Sequence, residues 1–371
     1  MIVGVPKEVK NNENRVAMVP DGVYEVVKMG HKVVIESGAG VGSGITDADY
    51  IKAGAEIASD KKALFDVADV IMKVKEPVPS EYDYFREGQV LFTYLHLAAD
   101  KEQAEFLINK KITAFAYETV QTKDGALPLL TPMSEVAGRM SIQIGAELLQ
   151  KNEGGKGIIL GGVPGVAPAE VVVLGGGVVG LNAAKTASYM GARVTILDVS
   201  RKRLIYIDDV FGGKITTLMS TAYNIASAVK KADLLIGAVL IPGAKAPTLV
   251  TEEMVKTMGS GSVIVDVAID QGGSIETADR VTTHENPTYE KFGVIHYSVA
   301  NMPGAVPRTS TYALTGMTIQ YLKRILSSGV EALIENDKQM RLGLNTYKGF
   351  VTNKGVAEAL GYDYTESTTL I

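Results

Sequence analysis

The chain contains no cysteine. That excludes a disulfide framework, a thiolate nucleophile and any cysteine-held metal, and it fits a reducing compartment. Basic charge is not in excess: 37 Lys and Arg against 42 Asp and Glu leave a formal net charge of −5. Nothing in that balance points to nucleic acid or an anionic membrane as partner. The N-terminus, MIVGVPKEVK, lacks the apolar core of a signal peptide, so a cytoplasmic protein is expected. Unbroken apolar runs of membrane-spanning length are missing as well. Gly157–Ala184 carries a single charge, Glu170, but Gly and Pro interrupt it, and it reads as loop plus buried strand rather than a membrane span. There is no HExxH, no dense acidic loop and no G-x-S-x-G, so neither a metal site nor a nucleophile elbow is expected.

What the chain does have is the stretch VVVLGGGVVGLNAAKTASYMGARVTILD, Val171–Asp198. Val171–Leu174 is a β-branched run suited to a buried parallel strand. Gly175, Gly177 and Gly180 then match G-x-G-x-x-G, Asn182–Met190 supplies a helix, and Arg193–Leu197 a second strand that ends at Asp198. The first glycine permits the tight turn, the second lets backbone approach a pyrophosphate, and the third lets helix and strand pack closely. The anion would sit on the free N–H groups of the helix N-terminus, and Asp198 stands where a carboxylate accepts from an adenosine ribose. A glycine-rich turn between core elements accounts for the glycines but not for Asp198. The acid favours NAD over NADP because it repels a 2′-phosphate, although Arg201 and Arg203 lie close enough to weaken that discrimination.

A length of 371 residues accommodates two domains. Before the fingerprint, Ile2–Val5, Lys32–Glu36, Val67–Lys75, Gln89–Leu97 and Ile112–Tyr117 read as strands. Helices are expected after Pro20-Asp21, over Asp47–Ala55 and over Lys101–Lys110. This alternation implies a parallel α/β layer. Ser134 is a candidate N-cap for a long helix reaching about Gln150. After the fingerprint, Lys214–Leu218, Ala232–Val239, Ser262–Ile269 and Gly293–Val299 read as strands. Helical patterns follow over Tyr312–Leu326 and Val330–Asn336. The expected division is a discontinuous first domain, 1–128 with 307–371, and a nucleotide-binding domain, 129–306.

Ligands of open parallel sheets bind beyond the carboxyl ends of the strands. Arg15, Lys75, His96, Asp270 and Asn301 fall at such ends. Arg15 suits a carboxylate, or is an exposed loop arginine. Lys75 has Lys73 and Glu76 beside it, and on the residues alone a surface ion pair is the better account of it. His96, one of only four histidines, is either a satisfied core residue or a strand-end acid–base group. Asp266 lies deeper in its strand and reads as structural; Asp270 opens the following loop.

Assembled, these blocks resemble the alanine dehydrogenase family nearly end to end. The resemblance is carried by VPKEVKNNENRVAMVP (Val5–Pro20), ESGAG (Glu36–Gly40), KVKEP (Lys73–Pro77), LFTYLHLA (Leu91–Ala98) and LPLLTPMSEVAGRM (Leu127–Met140). It continues in the fingerprint, GAVLIPGAKAP (Gly237–Pro247), VIVDVAIDQGG (Val263–Gly273) and HYSVANMPGAVPRTSTYALT (His296–Thr315). The resemblance implies two Rossmann-like doubly wound domains with a cleft between them, and reversible NAD-dependent oxidative deamination of L-alanine to pyruvate and ammonium. It also implies a homohexamer. On that basis Arg15 and Lys75 bind substrate, and His96 and Asp270 are the acid–base pair. NAD contacts the fingerprint with Ser134, Val178, Val179, Asp198, Arg203, Ser220, Val239, Leu240, Val267, Ala268, Ile269, Asp270, Ser298, Val299, Ala300 and Asn301. Leu181, where the family pattern has threonine, and Gly316, where it has asparagine, depart from it. Alternatives are the NAD-binding component of a proton-translocating transhydrogenase, a lysine- or saccharopine-type dehydrogenase, and a catalytically silent NAD-binding module.

Overall fold

A computed structural model describes residues 1–239 and 247–371. Two compact units divide the chain, Met1–Met133 with Val306–Ile371, and Ser134–Ala305. The first unit opens with β1 (Ile2–Val5), α1 (Pro20–Lys28), β2 (Lys32–Glu36), α2 (Asp47–Ala53), β3 (Glu56–Ala58) and α3 (Lys61–Val67). It continues with β4 (Val70–Met72), α4 (Pro79–Tyr82), β5 (Val90–Thr93), α5 (Lys101–Asn109) and β6 (Thr113–Ala116). The division between the units falls in the first turn of α6 (Thr131–Leu148). The second unit then runs β7 (Glu170–Leu174), α7 (Val178–Tyr189), β8 (Arg193–Asp198), α8 (Arg201–Phe211), β9 (Thr216–Met219) and α9 (Ala222–Val229). After these come β10 (Leu234–Gly237), α10 (Glu252–Val255), β11 (Val263–Asp266), β12 (Thr288–Lys291) and β13 (Val294–Tyr297). The tail returns to the first unit with α11 (Pro307–Ser328), α12 (Val330–Asn336), α13 (Lys338–Gly343), β14 (Leu344–Tyr347), β15 (Phe350–Val351) and α14 (Lys354–Leu360).

Each unit is built on one mostly parallel sheet. In the first the order is β15-β14-β6-β5-β4-β1-β2-β3, with only β14 and β15 pairing antiparallel. In the second it is β12-β13-β11-β10-β7-β8-β9, with β12 antiparallel at the edge. Both sheets reverse direction of winding beside their first strand, between β1 and β4 and between β7 and β10. Such a switch point opens a crevice beyond the carboxyl ends of the two strands. Buried-on-both-faces strands explain the unbroken apolar runs: Val172, Leu174, Leu235 and Ile264 pack with Val229 of α9 and Val255 of α10. Leu64, Phe65, Ile71, Leu91, Leu107 and Ala114 do the same in the first unit.

The observed strands are shorter than the apolar runs, and the reason is side-chain capping. Asp60 accepts from the Ala63 N–H at 2.9 Å, so Lys61–Val67 is helix and β4 starts only at Val70, not at Val67. The run to Leu97 stops at Thr93, and the run to Ile269 stops at Asp266, whose own carboxylate turns the chain. Ser134 is not an N-cap. The helix starts at Thr131, where Thr131 Oγ1 donates to Leu127 O at 3.1 Å, and Pro132 is tolerated in a first turn whose amides have no intrahelical acceptor. The helix after the fingerprint begins at Val178 rather than Asn182, immediately after the second motif glycine.

That early start depends on Gly180. A Cβ there would overlap Gly175 O and sit 3.2 Å from Val173 Cγ1. Gly180→Ala is therefore expected to destabilise the second unit by about 1–3 kcal/mol. Thermal unfolding checks this, and an unchanged melting temperature would show that α7 can shift without penalty.

Candidate active site

In the first unit the loop after β1 returns a buried ion pair to the sheet end. Arg15 is 2% exposed, so it is not an exposed loop arginine. Its Nε donates to Glu13 Oε1 at 2.7 Å and its Nη2 to Glu13 Oε2 at 2.5 Å. Nη1 faces Met133 Sδ at 3.2 Å. The next residue is pinned as well, Val16 N–H donating to Thr311 Oγ1 of α11 at 3.1 Å. Burial works against both charges, but the pairing outweighs it: Arg15 is raised and Glu13 lowered from their ordinary values.

Lys75 lies just beyond β4. The expected pair with Glu76 is not formed, because Glu76 pairs with Lys10. Lys75 makes no direct ion pair among the described residues. Burial, then the neighbouring Arg15 charge, lowers its pKa. Its backbone is held by Glu8, whose Oε1 accepts from Val74 N–H at 2.6 Å and from Lys75 N–H at 3.4 Å. Lys73 is fully buried between Glu8 (3.2 Å) and Glu81 (3.0 Å). Burial pushes the Glu8 carboxyl up, whereas Glu8 and Glu81 together keep Lys73 charged against its own desolvation.

His96 follows β5 and is exposed, so it is not a core histidine. It occupies the left-handed region, φ 49° and ψ 34°. Its ring stacks on Tyr94, centroids 6.0 Å apart and planes 8° apart. Tyr94 is buried and its hydroxyl donates to Leu129 O at 2.6 Å. Tyr94 also feels the Arg15 charge. The first unit thus gathers Arg15, Lys75, Tyr94 and His96 at one end of its sheet, next to the β1/β4 switch point.

In the second unit the fingerprint forms a cradle. Gly175 takes φ 96°, and among the described residues, its chain neighbours aside, no heavy atom lies within 4 Å of where a Gly177 Cβ would stand. Gly177 is the N-cap of α7 and offers no side-chain cap, so the first-turn amides around Val178 and Val179 remain for an anion. Asp198 Oδ2 accepts from Gly176 N–H at 2.6 Å and Oδ1 from Ser200 N–H at 2.7 Å. Arg203 Nε donates to Gly176 O and Nη2 to Gly177 O, with the guanidinium 4.9 Å from the Tyr206 ring centroid. Ser220 N–H donates to Asp198 O at 3.0 Å, and Val239 follows β10 at the switch point. Leu240 lies outside the described residues. Val267 N–H donates to Gly237 O at 2.9 Å. Ala268 leads into a 3-10 turn, Ile269–Gln271, which carries an exposed Asp270. Ser298 and Val299 follow β13, Ala300 comes next, and Asn301 takes φ 59°. Ser134 lies inside the first turns of α6. The cradle, the uncapped helix and the placed acid fit a dinucleotide.

Comparison with known proteins bears on the whole chain. The family model described as alanine dehydrogenase/PNT, N-terminal domain, matches residues 4–137, and its C-terminal counterpart matches residues 141–354. The chain belongs to the alanine dehydrogenase/PNT family. A relative named alanine dehydrogenase from Methanococcus maripaludis is 66% identical, over 98% of each chain. Among solved structures, an L-alanine dehydrogenase superposes with a TM-score of 0.94 at 49% identity, covering 97% of this chain and 99% of the other. A transhydrogenase from Sinorhizobium meliloti gives 0.82 at 28%, covering 95% and 99%. Membership in the alanine dehydrogenase/PNT family implies a nicotinamide cofactor. Among the described residues no His, Asp and Glu group suited to a metal occurs, and no helix is long and apolar enough to cross a membrane.

Sequence reasoning missed Glu13, Glu8 and Glu118, which act on backbone amides or on a cation two residues away and leave no periodic signal. It did single out Asp266. This carboxylate is fully buried and accepts from Ala268 N–H (3.1 Å) and Ser274 N–H (3.3 Å), bracing the turn that carries Asp270. Burial first, and the Asp270 charge last, push its pKa up to about 6 against those hydrogen bonds. A raised carboxylate favours the folded state while protonated. Its contribution is full below the unfolded value near 3.8 and is lost as pH rises through about 6, a swing of about 3 kcal/mol. Asp266→Asn should therefore gain on the parent by that amount between acid and neutral pH in urea unfolding. A constant difference across that window would show that Asp266 ionises as an ordinary carboxylate.

Proposed function

We propose that the chain catalyses the reversible oxidative deamination of L-alanine to pyruvate and ammonium with NAD. The observation that carries the reading is the Arg15–Lys75–His96 set at the switch-point end of the first sheet, in a chain whose relatives share nearly its whole length and are named alanine dehydrogenase. NAD, held by Gly175, Gly177, Gly180 and the α7 N-terminus with Asp198 on its ribose, supplies the hydride acceptor for the substrate α-hydrogen. Ser134, Ser220, Val239, the Val267–Asp270 segment and Ser298–Asn301 complete that set. Arg203 is directed at the Gly176 and Gly177 carbonyls, which leaves Asp198 to oppose a 2′-phosphate and favours NAD over NADP.

Arg15 supplies directed hydrogen bonds to the substrate carboxylate, and Lys75 supplies charge to the carboxylate or the carbonyl oxygen. The α-carbon, once it has lost hydride, is an iminium. Water adds to it with loss of a proton; the carbinolamine nitrogen then gains one, and the C–N bond breaks as the hydroxyl gives up its proton, leaving the keto group of pyruvate and ammonia, which takes up a proton as ammonium. His96 and Asp270 serve these transfers, taking the proton from water and returning one to the amine; in the reverse direction the roles exchange. A homohexamer is proposed on the family resemblance, and light scattering of the purified protein tests it.

Purified protein with NAD and L-alanine at alkaline pH should reduce NAD without any membrane fraction, with lysine as control substrate. His96→Ala should cut that turnover by about 100-fold or more and leave NADH affinity unchanged. NAD binding without alanine-dependent reduction would favour the transhydrogenase-like reading. In a separate measurement, Asp198→Ala should weaken NADH binding about tenfold, a loss of two charge-assisted contacts to the loop and ribose. Unaltered affinity would contradict the ribose assignment.

A further inference from the structure

We propose that Glu118 is the positioning residue of His96: its carboxylate accepts the backbone N–H groups of Leu95 and His96 and so holds the left-handed turn from which the imidazole projects. The inference rests on the acid–base reading of His96. Glu118 lies in the 3-10 turn Tyr117–Thr119 directly after β6, the neighbour of β5, with Thr93 and Ala116 in register as the last pair. From there Oε1 reaches Leu95 N–H at 3.1 Å and His96 N–H at 2.6 Å, and Oε2 reaches Leu95 N–H at 3.2 Å.

Two consecutive amides pointing at one anion is the reverse of strand geometry, where successive amides point to opposite sides. The carboxylate therefore ends β5 and sets the bend. His96 then takes a positive φ, which a residue with a Cβ adopts only when its surroundings impose it. The turn is continued on its far side by Ala99 N–H donating to His96 O at 3.1 Å. The remaining freedom of the ring is limited by Tyr94, which stacks on it and is itself tied to Leu129 O. Glu118 fixes where the imidazole starts and Tyr94 fixes its plane. Glu118 reaches His96 through backbone amides, so it acts on proton transfer through His96 rather than by carrying the proton.

Charge and geometry are both needed. A glutamine at 118 keeps one acceptor oxygen, which can still face both amides, but it loses the negative charge and turns its amide N–H₂ toward the Leu95 N–H that Oε2 accepts in the parent. An alanine satisfies neither. The test compares Glu118→Gln, Glu118→Ala and His96→Ala in alanine oxidation at saturating NAD, with NADH binding and thermal melting measured on each. The expected order of kcat is parent, then Gln at about tenfold below, then Ala at about a hundredfold below. The KM for alanine and NADH affinity should stay near those of the parent. The deuterium solvent isotope effect on kcat should rise in the Glu118 variants, because a misplaced imidazole makes proton transfer limiting. If Glu118→Ala melts below the assay temperature, the Gln variant alone decides. Full kcat in the Glu118 variants with an inactive His96→Ala overturns the proposal, and so does a parallel loss of kcat, KM and NADH binding. Full kcat in His96→Ala instead overturns the reading of His96, whatever Glu118 does.

Discussion

A carboxylate that accepts backbone amides just beyond a strand end recurs beside four of the candidate site segments. Glu8 takes the amides of Val74 and Lys75, and Glu118 those of Leu95 and His96. Asp198 takes those of Gly176 and Ser200, and Asp266 those of Ala268 and Ser274. Parallel strands end in a row of amides that no further strand satisfies, and a buried amide left unpaired costs on the order of 1–3 kcal/mol. A carboxylate supplied from a neighbouring element, or from the last residue of the strand itself as at Asp198 and Asp266, meets that need and also bends the chain. The loops become rigid extensions of the sheet, which lets side chains on them be held to the tolerance that catalysis demands.

The same economy governs the buried charges of the first unit. Burying an isolated ion is costly, and a buried pair is tolerable only when its geometry is good and its other hydrogen-bonding sites are met. Glu13 answers Arg15 with two side-chain contacts and also accepts the Arg15 backbone N–H at 3.1 Å. Glu8 and Glu81 answer Lys73, and Lys61 reaches Glu81 at 3.5 Å and Glu36 at 2.9 Å, carrying the alternation of charge toward the surface. Such a network is weak evidence for stability, since well-packed apolar groups would serve as well. Its value lies in fixing the direction of the Arg15 fork and the path of the KVKEP segment.

The α/β class, the parallel alternation and the Val171–Asp198 unit were legible because each is written in local signals: β-branched runs, glycine spacing and a terminal acid. Candidate residues were legible for a related reason, since polar groups at the ends of apolar strands are few and conspicuous. Strand lengths were not legible. Val67 and Leu95 are as apolar as their neighbours, and what removes them from the strands is Asp60 capping a helix in one case and Glu118 across the sheet in the other. The second of these is a long-range contact that no window of sequence contains. Glu118 itself was passed over because an acid after a strand is unremarkable until its partners are known. Ser134 failed as a cap for a simpler reason: the helix already starts at Thr131, which places Ser134 inside its first turns.

Charge compensation also explains why Lys75 differs from the cations around it. Arg15 is matched by Glu13, Lys73 by two glutamates and Lys10 by Glu76. Lys75 is left with burial and the Arg15 charge against it, and its pKa falls accordingly. A carboxylate brought beside it would offset both effects, since an opposite charge within a few ångströms favours the ammonium form. Lys75 thus makes no ion pair among the described residues, which suits the substrate-binding role proposed for it. The gain is largest for a ligand whose carboxylate reaches Lys75 and Arg15 together, because only then is the cost of holding a desolvated ammonium beside a guanidinium recovered. A neutral ligand of the same size recovers none of it. On the proposed reading of Arg15 and Lys75 as substrate-binding residues, a preference for a small carboxylate follows from how the glutamates are distributed.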